Sequence, residues 1–74
     1  MKELVETIVK ELVEEKDQVE IEENRNDGEV NIIIHVAESD KGRVIGVRGN
    51  IINSIRTIAR SAAIKENVKV NIKI

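Results

Sequence analysis

Val44-Ile45-Gly46-Val47-Arg48-Gly49-Asn50-Ile51-Ile52 is the stretch whose reading decides the fold. Two glycines three residues apart sit between apolar pairs, Val44-Ile45 and Ile51-Ile52, so a tight turn is pinned at both ends by side chains that seek a core. Glycine admits backbone angles that a Cβ forbids and lets another backbone approach closely. A helix that begins just after such a turn offers unpaired N–H groups and a partial positive charge to an anion. The pattern therefore predicts two helices joined by a loop in which a phosphate fits. Two spaced glycines also occur in ordinary helix-turn-helix connections, so the flanking chain has to decide between the two.

Before the loop, Ser39 or Asp40 is placed to cap a helix from Lys41 to about Ile45, barely more than one turn. After it, Asn50 is a good N-cap, and Ile51, Ile52, Ile55, Ile58, Ala59, Ala62 and Ala63 trace an amphipathic helix to about Lys65. Arg56 and Arg60, four apart, share another face of that helix. At the start of the chain, Leu4, Val5, Ile8, Val9, Leu12 and Val13 recur at helical spacing and predict a helix over residues 2–15. Val19 and Ile21 alternate with Glu20 and Glu22 in a strand over 18–24, and Asn24-Arg25-Asn26-Asp27-Gly28 supplies a hairpin turn. Residues 30–36 are rich in β-branched side chains and read as the central strand. Val68, Val70, Ile72 and Ile74 alternate with Lys69, Asn71 and Lys73 in a last strand over 68–74, with one buried and one wet face.

The order is thus α-β-β-α-α-β, an α+β domain. A hairpin makes the first two strands antiparallel, and a crossover through two helices makes the last two parallel. A three-stranded mixed sheet with its three helices on one face is the expected packing.

With 74 residues the chain is read as one domain, and a chain this short buries only about 60% of its unfolded surface, so a partner interface would add stability. It has no cysteine, which removes disulfides and thiolate chemistry. The early residues carry Glu3, Glu6, Glu11 and Glu14, and no apolar run approaches the roughly 20 residues of a membrane span. A cytoplasmic protein without a membrane partner is expected. The net charge of −2 is unevenly spread: residues 1–40 hold 4 Lys/Arg against 13 Asp/Glu, a balance of −9, and residues 41–74 hold 8 against 1, a balance of +7. The basic half begins where the glycine loop does, so phosphates would concentrate there.

Ile45-Gly46-Val47-Arg48-Gly49 with its amphipathic helix resembles the GXXG loop of KH domains, which clamps about four nucleotides of single-stranded nucleic acid. The element order is that of the type II KH fold. From Ala37 to Lys65, with Ile55-Arg56-Thr57 and Ser61-Ala62-Ala63 after the loop, the chain is similar to the KhpA family of small bacterial single-KH proteins, and the likeness spans nearly its full length. The resemblance implies one KH domain over residues 1–74 that binds single-stranded RNA with low sequence specificity and acts in RNA-level regulation. It further implies association with itself or with a larger KH protein of the KhpB type. Gly46, Val47, Arg48 and Gly49 would then touch phosphates over an apolar floor of Ile45 and Ile52. Lys41, Arg43, Asn50, Asn53 and Arg56 would edge the groove, with Ile34 and Val36 in its far wall. Family loops usually carry a basic first variable residue and often another after the second glycine. Here Val47 and Asn50 stand there, Arg48 is the loop's only charge, and weak binding is expected.

The chain has no aromatic residue, which disfavours RNA-binding folds that stack bases on aromatic platforms. His35 is the only histidine, in mid-strand and without a cysteine or second histidine to share a metal. Adjacent pairs such as Glu14-Glu15 and Glu22-Glu23 diverge on a helix or strand and make poor acid–base pairs. No enzyme, metal or cofactor is expected. The alternative function is a KH-fold protein-interaction or idealised scaffold whose loop is too weakly basic to hold RNA.

Overall fold

The computed structural model describes residues 1–74. Six elements follow the expected order: α1 (Lys2–Leu12), β1 (Glu20–Asn26), β2 (Glu29–His35), α2 (Lys41–Ile45), α3 (Asn50–Glu66) and β3 (Lys69–Lys73). The sheet order is β1-β2-β3, with β2 antiparallel to β1 and parallel to β3. Ile21 pairs with Ile34 and Ile32 with Ile72. That register puts Ile21, Val30, Ile32, Ile34 and Ile72 on one face, where α1 adds Val5 and Val9, the extended Val13 after it is also buried, α2 adds Val44, and α3 adds Ile52, Ile55, Ala59 and Ala63 to the core. The other face carries Glu20, Glu22, Asn31, His35 and Asn71. The fold is α+β, with a three-stranded mixed sheet and three helices, as in type II KH domains.

Several boundaries differ from those expected, each for a local physical reason. Helix α1 stops at Leu12 rather than residue 15. Val13 is already extended, the Asp40 carboxylate accepts the N–H groups of Glu14 and Glu15, and Lys16 Nζ donates to the carbonyls of Lys10 and Val13. Partners other than the helix therefore serve the groups around its end. Lys16–Gln18 form a 3₁₀ turn, so β1 starts at Glu20 rather than 18. That strand then runs to Asn26, because Asp27 and Gly28, at φ 46° and 78°, complete the hairpin alone. At the far end of α3, Asn67 takes a left-handed conformation at φ 57° and donates to Ile64, while Val68 donates to Ala63.

The apolar stripes are narrower than the sequence periodicity suggested. In α1 only Val5 and Val9 are fully buried, and Leu4 is exposed. Ile58 of α3 is 46% exposed and Ile64 78%, so both point away from the core. In β3 only Ile72 is fully buried; Val70 is half-buried against the core, and Ile74, one residue past the strand, is exposed.

Candidate nucleic-acid interface

Helix α2 is only five residues long and ends at Gly46, whose N–H bonds the Gly42 carbonyl at 2.9 Å. Gly46 lies at φ 78°, ψ 175°, a region that side-chain-bearing residues avoid. A Cβ there would also stand 2.6 Å from Ile51 Cγ1 and 2.9 Å from Ile51 Cβ. Glycine is thus required twice, by conformation and by the packing of the loop on the first turn of α3. Gly49 lies at φ 75°, ψ 16°, yet a Cβ would meet only ordinary contacts at 3.7 Å. Its requirement is conformational alone.

Between the glycines, Val47 is 77% exposed and Arg48 is exposed in a left-handed conformation at φ 55°. Asn50 is the first residue of α3 and not its cap. The N-cap position falls on Gly49, no side chain caps the helix, and its first turn holds no acid. The positive end of a 17-residue helix therefore opens beside an exposed arginine. Ile52 is buried and Ile45 half-buried beneath the loop.

A chain of contacts leads from the loop to the edge of the sheet. Asn53 lies against Gly49, and its Oδ1 accepts a hydrogen bond of 2.9 Å from Arg56 Nη1. Arg56 Nε and Nη2 donate in turn to the Ile72 carbonyl at 3.3 and 3.1 Å. Beyond Arg56 a cleft of about 490 Å³ runs along β3, lined by Arg60, Val70, Ile72 and Lys73 among others. Arg48 and Arg60 make no ion pair. Since β2 is the central strand and Ile34 is buried in the core, Ile34 cannot wall a groove; of the two edge strands, β1 and β3, it is β3 that lies beside α3. Val36 is half-buried, packed against the core cluster.

The other groove-edge candidates are already engaged. Lys41 pairs with Glu38 at 3.0 Å, an exposed contact worth little. Arg43 pairs with Glu14 and, at 3.3 Å through Nε, with Asp40. Asp40 is the one buried polar side chain, and its carboxyl is held below the ordinary value near 3.8 by the N–H groups of Glu15 and Glu14, with Arg43 assisting against the cost of burial. It makes no capping bond to α2, although a helix cap is what the sequence suggests. Its partners lie 25 and 26 residues upstream, a pairing that no local pattern announces.

A sequence model of the KhpA/KhpB KH domain matches residues 2–74. The chain belongs to the KhpA/KhpB KH-domain family. Proteins named RNA-binding protein KhpA resemble it from end to end. That of Clostridium acetobutylicum is 42% identical over 74 residues, covering 100% of this chain and 99% of the relative. That of Clostridium perfringens is 43% identical with the same coverage, and that of Chlamydia trachomatis serovar D is 38% identical over 100% of this chain and 95% of its own. No solved structure matches the chain. These relatives of the KhpA/KhpB family are named for binding RNA and for no reaction, in keeping with a site built from a loop, a helix end and arginines.

Proposed function

We propose that this KH domain binds single-stranded RNA by laying the nucleotide backbone on Gly46–Gly49, with bases in the cleft between α3 and the free edge of β3. The observation that carries the reading is the uncapped start of α3 beside the exposed Val47-Arg48 tip, where a phosphate meets helix N–H groups and one guanidinium. The names of its full-length relatives support RNA as the ligand. Without aromatic side chains, bases are held by aliphatic contact and hydrogen bonds at their edges, which gives low sequence specificity. Titrating the 15N-labelled protein with short single-stranded RNA tests this. The amides of residues 46–53 shift if the reading holds, and shifts confined to other surfaces would refute it.

The same family membership supports association with a second KH domain, either another copy or a larger protein of the KhpB type. The exposed Ile58 on α3 is the apolar residue such a contact would cover.

A further inference from the structure

Asp40 stands outside the groove, at the start of the short helix that leads into the loop. Its side chain is 1% exposed, and no buried side-chain polar atom in the molecule lacks a partner. Oδ1 accepts the Glu14 N–H at 3.1 Å and Oδ2 the Glu15 N–H at 3.0 Å. Arg43 Nε lies 3.3 Å from Oδ1, and the other end of that guanidinium holds the Glu14 carboxylate. One side chain therefore ties the segment after α1 to the start of α2.

That tie matters because α2 cannot hold itself. Helices well under about 12 residues are marginal in isolation, and α2 has five. Apart from the exposed Arg43–Glu14 pair, its placement rests on three points: Asp40 at its start, Val44 in the core, and Gly46 pressed on Ile51 at its end. With the first point released, the short helix can tilt about the other two and carry Arg43 and the loop with it.

We propose that Asp40 is a positioning residue for the loop: by holding the backbone of Glu14 and Glu15, it fixes the start of α2 and, through that helix, the Gly46–Gly49 loop against α3. The effect on affinity rests on the RNA-binding reading above; the effect on the loop does not. Asp40→Asn tests it, since an amide keeps one acceptor but turns an N–H donor toward the second backbone N–H. Glu15→Pro deletes one of the two donors while leaving Asp40 intact, and so serves if the first variant does not fold. Glu14→Gln is the control, because it breaks the exposed pair with Arg43 and leaves the Glu14 N–H in place.

Each variant is examined well below its melting temperature, without RNA by the amide shifts and hydrogen exchange of Gly46, Val47 and Gly49, and with an RNA tetramer by affinity. Asp40→Asn and Glu15→Pro are expected to move the loop amides and speed their exchange, while Glu14→Gln matches wild type. If the binding-competent loop falls to about a tenth of the population, affinity falls about tenfold. A lower melting temperature with loop amides and affinity both unchanged would show a merely structural role and overturn the proposal. If wild type binds no RNA, the RNA reading fails, and the amide shifts alone still decide the role of Asp40.

Discussion

The two glycines of the loop differ in why they are glycine, and substituting each by alanine separates the reasons. At Gly49 the methyl group has room, so Gly49→Ala costs only the left-handed backbone, about 1–2 kcal/mol. At Gly46 the backbone is harder for alanine to adopt, about 1–3 kcal/mol. The methyl would also press on Ile51 at 2.6 and 2.9 Å, and because Ile51 Cβ is fixed to the helix it cannot swing aside. Overpacking of that kind adds about 1–3 kcal/mol, for a total of about 2–6 kcal/mol. A domain of this length holds only about 4–11 kcal/mol in all, so Gly46→Ala consumes a large share. Each kcal/mol lowers the melting temperature of a domain this small by about 4–8 °C. Urea and thermal unfolding of both variants is the assay. Gly46→Ala unfolding at or above the midpoint of Gly49→Ala would refute the claim that the loop is packed on the first turn of α3.

Further predictions concern the ties around the site. Because its folded pKa lies below the unfolded value, Asp40 contributes stability that is fully present above the ordinary carboxylate range and is lost as pH falls through the lowered value. Wild type should therefore lose melting temperature steeply below about pH 4, and Asp40→Asn less steeply; parallel acid limbs would contradict this. Removing the Arg56 hydrogen bonds to Ile72 by Arg56→Ala should cost about 1.5–3 kcal/mol in urea unfolding and speed amide exchange in β3. An unchanged stability would show that this contact is not formed in solution. Sedimentation across about micromolar to millimolar concentration should show a dimer that Ile58→Lys dissociates, since burying a lysine without a partner opposes association. A wild-type monomer throughout that range would remove the self-association proposal.

How much of this was legible in the sequence follows from how local each signal is. Hairpin, strand alternation and the glycine spacing are encoded within a few residues, and they delivered the element order, the sheet pairing and the loop. The ends of α1 and β1 were misplaced because Asp40 and Lys16 settle one, and the Asp27-Gly28 pair is a shorter turn than the polar run Asn24–Gly28 suggested. Ile58 was read as core because a helical period shows a stripe and not its width. The roles of Asp40 and Arg56 were hidden for another reason: each bonds backbone atoms 16 or more residues away, and any carbonyl or N–H looks alike in a sequence. The same blindness put Ile34 in the groove wall, since nothing in β2 itself says which of the two edge strands lies beside α3.

The central claim, that the tip of this loop holds an RNA backbone, is tested most directly by the affinity of Val47→Asp/Arg48→Asp for single-stranded RNA, measured beside its melting temperature. Both side chains are exposed, and aspartate tolerates the left-handed backbone at position 48, so stability should change by no more than about 1 kcal/mol. Two carboxylates would then stand where phosphates lie, and binding should collapse. If the site contacts three or four phosphates, the wild-type log-log salt slope should be roughly −2 to −3. An affinity that survives the double substitution, in a variant that melts with wild type, would contradict the account and leave a KH-fold interaction scaffold in its place.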